Sequence, residues 1–560
     1  MPGFKIHLPM NPLRPLVPVL LALLAGTVHA QHQTATLDSP VLGGLLPYSV
    51  ALREVSLAPA ALPNLHSAAV AIWDDQWVLL GGRTNGLHGM TGMNAFDPQY
   101  ENREVWVIDP VTRQSWHKSL LESSPASGLA TDQVDSLSSV NTQFHQAGAA
   151  LIVAGGDGYK RSVADHRTYD TLSRIDLPGL IGWVKQAPGS ETTQAAQHIQ
   201  QIRNSYFQVT GGSLEKIGDE YQLVMGQNYE GRYRPNFNGI YTRQVRRFLI
   251  DETAGTLVVP PASMLPTPPL PEYRRRDLNV MTVLQAGAGA GNYVERAVVL
   301  SGVFTPANGV WTLPVLIGPG GAVTMDDPAA PATLKQAFQI YHCAKVGMFH
   351  RATREMHMIL FGGLTILEHD AATSTFTRDD QAPFTNQCGV VVRRGDGSFR
   401  QFFLPTRFPL ITTAEGKELR FGTNAEFFPA LSAPMMHPKV LDLATIDREQ
   451  VIGHIFGGIV ADAGNGGNTG ASGRVFEVVL TPLDLPPALT VSTSPGQVSI
   501  QWPAAAEHRY LVEKSPDLGS WTEATQPLSG TGILEWSEPR TTPAAFFRVL
   551  SGSLSREPAP

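Results

Sequence analysis

Six times the chain runs a stretch of apolar residues into a glycine pair or a near copy of one, and few folds accommodate such a pattern. WVLLGG ends at Gly82, LIVAGG at Gly156, MHMILFGG at Gly363 and GHIFGG at Gly458, with looser copies in QLVMGQ around Gly226 and AVVLSG ending at Gly302. The copies lie about 75 residues apart on average, at irregular intervals, so a common core unit carries loops of variable length. A short continuous apolar run bounded by turns predicts a strand buried on both faces, and each such side chain gains roughly 1.5–3 kcal/mol on burial. A sheet with two apolar faces has to be stacked between similar sheets, and closing that stack into a ring leaves no unpaired edge. The glycines stand where the strand ends and neighbouring backbones approach, a place where a Cβ is a hindrance.

Each copy follows a small-residue or polar β-like run: HSAAVAIW from His66, NTQFHQAG from Asn141, YFQVTGG from Tyr206, LNVMTVLQAG from Leu278, CAKVGMF from Cys343 and HPKVLDL from His437. The expectation is an all-β chain with a six-bladed β-propeller over 45–480, a seven-bladed ring being the alternative. SVALREVSL at 49–57 precedes the first unit and RVFEVVL at 474–480 follows the last, so the two ends of the ring are expected to meet in one blade.

A total of 53 glycines and 43 prolines in a chain of 560 residues gives the turn-heavy composition of an all-β protein. A net charge of −7 without long runs offers no general attraction to phosphate backbones, so nucleic acid is not an expected partner. Lys5 and Arg14, the apolar stretch from Leu16 to Val28, and Ala30 before Gln31 read as a cleaved signal peptide over 1–30. The mature chain is then secreted or periplasmic, or at the cell surface, with a linker over 31–44 and no transmembrane segment after signal cleavage. Residues 487–552, with Trp502, Tyr510 and Trp521 in an alternating pattern, predict a small β-sandwich, and 553–560 a disordered tail. Cys343 and Cys388 are the two cysteines; in an exported chain they can pair as a disulfide or stay as buried thiols.

In a propeller the first strands line the central channel, so the starts of these runs ring its mouth. That places His66, Asn141, Asn204, Asn279, His342 and His437 there, with Arg203 and Arg276 close in sequence and Arg232 and Arg234 after the third glycine position. Amides, imidazoles and guanidiniums converging on a concave end suit a polar or anionic small ligand. The ligand-binding candidates are Asn141, Asn204, Arg232, Arg276, Asn279, His342 and His437, His66 being read as structural. SPDLGSW at 515–521 and RRGDGSF around Asp396 read as hairpin turns. DAGNGGNTGASG at 462–473 offers Asp462, Asn465 and Asn468 to Ca²⁺ but has Gly473 at the twelfth position, where a carboxylate is needed. No nucleophile elbow, zincin, phosphate-loop or dinucleotide fingerprint is present.

The first unit, WVLLGG followed by Trp106 and a closing Trp116, resembles the kelch family, whose hallmark is an apolar strand, two glycines, a loop, an aromatic and a Trp. The later units lack that closing Trp in register. NTQFHQAG, RRRDLNV and YHCAKVGMF resemble a group of secreted bacterial kelch-like propellers, and 487–552 resembles a fibronectin type III module. The resemblance implies a non-catalytic binding propeller that recognises an extracellular glycan, peptide or partner protein and needs no cofactor. The alternative it leaves is an enzyme on a carbohydrate or sugar acid, mutarotase- or epimerase-like. Galactose oxidase, a kelch-like enzyme whose copper is held by two tyrosines and two histidines, makes Tyr206, Tyr341, His342, His437 and Cys343 worth locating. Tyr341 and Cys343 share one face of one strand, which departs from that oxidase's crosslink between separate segments.

Overall fold

A computed structural model describes residues 40–42 and 46–553, apart from 90–94, 122–125, 235–238, 252–256, 258, 260, 288–291, 308, 352, 371–372, 374, 483–488, 495, 505–507, 518–521, 526–527, 531 and 541–544. The signal peptide expected over 1–30, most of the linker expected over 31–44, the end of the 515–521 turn and all but the first residue of the 553–560 tail lie outside the described residues. Among the described residues no helix is long and apolar enough to cross a membrane. The chain is nearly all β and divides into two compact units, one of Met1–Leu42 and Val50–Leu480, the other of Gly43–Ser49 and Thr481–Pro560.

The apolar runs form the second strand of successive antiparallel sheets. Ala69–Trp73, Gln76–Leu80, Glu104–Asp109 and Gln114–Ser119 pair in that order, and the same arrangement returns in Gln143–Ala147, Ala150–Ala154, Thr171–Asp176 and Ile199–Arg203. Ser213–Ile217 and Asn279–Ala286 open the next two sheets, and Ala344–His350 the one after. The last sheet begins at Arg420–Pro429, continues through Gln450–Ala461 and Val475–Pro482, and takes Tyr48–Val55 from the start of the chain as its outermost strand. Gln76–Leu80 and Ala150–Ala154 are buried at every position, as a strand packed on both faces has to be.

Neighbouring sheets are glued by shared apolar clusters. Val78 and Leu80 of the first pack with Leu151 and Val153 of the second, Ile152 and Leu172 with Leu214 and Leu223 of the third, and Val224 with Val280 and Val299 of the fourth. The last sheet packs back onto the first: Trp77 stacks on Phe428 at 4.4 Å between ring centroids and shares a cluster with Phe456 and Val475.

Inside these sheets runs a belt of main-chain hydrogen bonds, one residue from each unit. Gly211 N–H donates to Asn141 O (3.1 Å), Asp277 to Gly211 (2.7 Å), His342 to Asp277 (2.9 Å), Asn424 to His342 (3.0 Å) and Ser67 to Asn424 (3.3 Å). Ser67, Asn141, Gly211, Asp277 and Asn424 all have positive φ, between 49° and 66°. Glycine pairs make a second layer of bonds: Gly82 N–H reaches Ser139 O, Gly156 reaches Val209, Gly302 reaches Ile340 and Gly458 reaches Leu65, each carbonyl just ahead of the next belt residue. Where the first glycine is replaced, Met225 and Ser301 take up the same left-handed conformation, with φ of 53° and 59°.

The smaller unit holds two sheets, Thr490–Ser494 with Gln497–Ala504 and Gly532–Pro539, and His508–Ser515 with Thr522–Glu523, Leu528–Ser529 and Phe546–Ser553. Ile500, Trp502, Tyr510, Val512 and Val549 are its buried core.

The sixth run was misplaced by the sequence. His437 does not open an inner strand; it closes the short strand Met435–His437, which pairs with Val440–Asp442 beside Ala344–His350, and Arg420–Pro429 takes the inner position instead. The apolar spacing of HPKVLDL suits a strand, but Asn424 has the left-handed conformation the belt requires. The disulfide is absent too: Cys343 and Cys388 are free, buried thiols, each pushed up to about 12 by burial.

A Cβ on Gly155 would lie 2.0 Å from Val209 O at φ +61°, whereas one on Gly148 at φ +57° would meet nothing within 4 Å. Gly148→Ala should cost about 1 kcal/mol for its backbone conformation alone, and Gly155→Ala at least twice that, read as denaturation midpoints. Equal losses would show that close approach of the units is not what the glycine serves.

Candidate functional site

The belt separates two cavities. On the glycine-pair side lies one of about 160 Å³; on the inner-strand side lies one of about 240 Å³. A third of about 40 Å³ shares Asn141 and Asp277 with the first and His342 and Glu426 with the second.

The first cavity takes its chemistry from segments that follow the glycine pairs or enter the belt. Arg276 arrives by a reciprocal main-chain pair with Val303, its N–H donating to Val303 O at 2.6 Å and its O accepting from Val303 N–H at 3.0 Å. Its guanidinium carbon lies 5.0 Å from the Phe304 ring centroid and 5.7 Å from that of Tyr241, and its Nε is 3.2 Å from Asp277 Oδ2. Tyr233 hydrogen-bonds to the Arg276 side chain, and Tyr341 to that of Asp277. Arg276 is 6% exposed, and its Nη1 has no hydrogen-bond partner among the described residues. A buried guanidinium N–H without an acceptor is costly, and an anionic ligand is what would supply one.

Burial works against charge throughout. It opposes the Arg276 cation, but Tyr241, Asp277 and Tyr233 outweigh it and hold the guanidinium protonated. Burial raises Asp277, with Arg276 pulling back, and raises Tyr341 well above its ordinary value. Asp157, also in the cavity wall, is likewise pushed well up by burial. His66 falls to about 3, through burial and Arg83, and His88 to about 4, through burial. Both are therefore neutral near pH 7. Arg83, held by Asn85 Oδ1 at 3.1 Å and Asp97 O at 3.0 Å, is a second cation on this wall. His88 stacks on Phe96 at 4.1 Å with Tyr233 at 4.7 Å, giving an aromatic side.

Of the residues expected from sequence, Asn141 and Arg276 line this cavity. His342 lines the other, where its Nε2 accepts from Lys345 Nζ at 3.0 Å and lies 3.6 Å from Glu426 Oε1. Asn279 is buried, its Nδ2 donating to Gln339 O and Tyr341 O, which ties two sheets together. Asn204 caps the 3-10 turn Ser205–Phe207 by accepting from Tyr206 N–H at 2.9 Å, outside both cavities. Arg232 lies near His166, whose proton affinity is lowered mainly by burial and further by this guanidinium, and does not line either cavity. His437 Nε2 is 3.3 Å from Glu295. Tyr341 and His342 open on different cavities, and the Tyr206 hydroxyl donates to Arg247 O and Ser263 O, so the copper set is not brought together. Among the described residues no group of three or more His, Cys, Asp or Glu side chains is placed to hold a metal ion. In the 462–473 loop, Asp462 already accepts from Asn468 and Lys417, and Asn465 donates to Asp379.

Asp277, Tyr233, Arg83 and Glu426 were missed as site residues, and Tyr341 was considered only as a member of the copper set. One signal was available: Ser67, Asn141, Gly211, Asp277 and His342 each stand two residues before an inner strand and Asn424 lies within one, and Asn, Asp, His and Gly are the types that tolerate left-handed backbone.

No family model and no curated protein matches the chain. Among solved structures it is similar to one described as the structure of YjhT, at 9% identity over 76% of this chain and 100% of that one, TM-score 0.36. It is also similar to a glycoside hydrolase, at 10% identity over 89% and 97%, TM-score 0.26. A third is CoXyl43, a GH43 β-xylosidase/α-arabinofuranosidase from a compost microbial metagenome, at 9% identity over 66% and 98%, TM-score 0.28. TM-scores under 0.5 carry nothing to individual residues. Two of these neighbours carry glycoside-hydrolase names and none a kelch name, which corrects the kelch resemblance and, with it, the reading of the chain as a non-catalytic binding propeller.

Glu426 supplies a pH test of the second cavity. Burial, opposed by Lys345 and Lys439, pushes its carboxyl from 4.5 up to about 7. The folded state then holds a proton that the unfolded state has released, so this contribution to stability is greatest below pH 4.5, falls as pH rises to about 7 and is flat above. Glu426→Gln should match the wild type near pH 4 and exceed it by up to about 3 kcal/mol at pH 8 in chemical denaturation. A difference independent of pH would refute the burial of a titrating carboxyl there.

Proposed function

We propose that the chain is an exported enzyme that moves protons on a sugar acid, built as a six-bladed β-propeller followed by a small β-sandwich. The belt of one residue per unit and the return of the last sheet to the first support the blade count, and the two sheets around Trp502 support the sandwich. The signal peptide over 1–30, the linker over 31–44, the propeller over 45–480 and the module over 487–552 belong to the same proposal, as does an extracellular carbohydrate as substrate.

The observation that carries the enzymatic reading is the buried Arg276, with a free N–H, beside the hydrogen-bonded Asp277 and Tyr341. The guanidinium takes the sugar carboxylate, which fixes the ring against the acid–base pair. Asp277 takes the anomeric hydroxyl proton as the bond from C1 to the ring oxygen breaks, and the ring oxygen takes the proton of Tyr341. Tyr341, whose proton affinity is high, recovers a proton from Asp277 along their hydrogen bond, and reclosure on the other face reverses the transfers.

D-Glucuronic acid anomers should exchange faster with the protein present, measured by NMR magnetisation exchange. Asp277→Asn should lower kcat by roughly 10²–10⁴-fold. Arg276→Lys should raise KM more than it lowers kcat, because the bidentate grip is lost while the acid–base pair stays. Wild-type exchange no faster than the buffer rate across a panel of sugar acids would end this reading.

A further inference from the structure

A free sugar acid carries hydroxyls all around its ring edge, but much of the cavity that holds Arg276 is apolar. Beside the Arg276–Asp277–Tyr341 group, the cavity is lined by Val303, Val310, Ile340, Leu364, Phe384 and Ile459, with Tyr341 itself packed against the Val303–Val310–Ile340 cluster. These come from two separate apolar clusters, one around Val303, Val310 and Ile340, the other around Phe384 and Ile459, with Leu364 packed against both. Val303 is joined directly to Arg276 by paired main-chain bonds, so the charged end and the apolar wall are held at one fixed separation. Hydroxyls laid against that wall would lose water and gain no partner, whereas an apolar group would be buried to advantage.

We infer that the substrate is an amphipathic anion, a sugar acid carrying an apolar substituent, with its carboxylate on Arg276 and its apolar group against the Val303–Val310–Ile340 wall. The inference rests on the sugar-acid reading and adds the second half of the ligand. Specificity then comes from two ends at once: a neutral ligand leaves a buried guanidinium N–H unpaired, and an unsubstituted acid leaves apolar surface uncovered.

Isothermal titration of the full chain with three sets of probes tests it: D-glucuronic acid, its 2-, 3- and 4-O-benzyl ethers, and the matching mono-O-benzyl glucoses. All retain the free anomeric hydroxyl. At least one benzyl glucuronic acid should bind tenfold or more tighter than glucuronic acid and than its neutral counterpart. Val310→Thr, which keeps the side-chain shape, should reduce that preference several-fold. Equal affinity for glucuronic acid and all its benzyl ethers overturns the inference and leaves the sugar-acid reading standing. Equal affinity for benzyl glucose and benzyl glucuronic acid overturns the sugar-acid reading and the inference with it, as does binding by none. The ligand comparison in the wild type decides the matter even where the variant fails to fold.

Discussion

Five main-chain hydrogen bonds, from Gly211 to Asn141, Asp277 to Gly211, His342 to Asp277, Asn424 to His342 and Ser67 to Asn424, hold the larger unit together at its centre. Ser67, Gly211, Asp277 and Asn424 make their bonds from left-handed backbone, at a cost of order 1–2 kcal/mol for each that bears a side chain. The apolar strands on either side make that cost bearable. Val78, Ile152, Val224 and Val298 are completely buried between sheets, and together such side chains outweigh a handful of strained torsions many times over. Strain at the belt and burial between the sheets are two sides of one arrangement.

This explains why part of the fold was legible and part was not. Apolar runs and glycine pairs are dictated locally: a strand buried on both faces has to look like LIVA, and backbones that approach to 2.0 Å of a hypothetical Cβ have to carry glycine. The sixth inner strand was missed because FGTNAEFF has no more apolar character than HPKVLDL, and only Asn424 distinguishes it. Asn204 was mistaken for a channel residue because a capping asparagine and a belt asparagine look alike until the neighbouring carbonyl is known. Cys343 and Cys388 gave no sign of remaining unpaired, since spacing along a chain does not set the geometry between two sheets.

The site was less legible than the fold because its residues are far apart in sequence and only one, Arg276, stood out by charge. Asp277 reads as a partner for the preceding arginines, and Tyr341 as one of a copper set with His342 and His437. Their meaning appears only when Gly211 and His342 close on either side of Asp277 and bring the Tyr341 hydroxyl to its carboxyl.

The belt also decides which side of the molecule each group serves. At Asp277 the side chain turns toward the glycine-pair cavity, while one unit further on His342 turns toward Lys345 and Glu426 in the other. Adjacent residues Tyr341 and His342 are thus divided between two cavities by the same local backbone that makes the belt. An acid–base pair built this way cannot drift: Asp277 is fixed by its own N–H, by its carbonyl accepting from His342, and by Arg276, itself pinned to Val303. Catalytic proton transfer depends on positions held to fractions of an ångström. A belt residue in a strained turn is therefore a better place for a proton-transferring carboxyl than a variable loop.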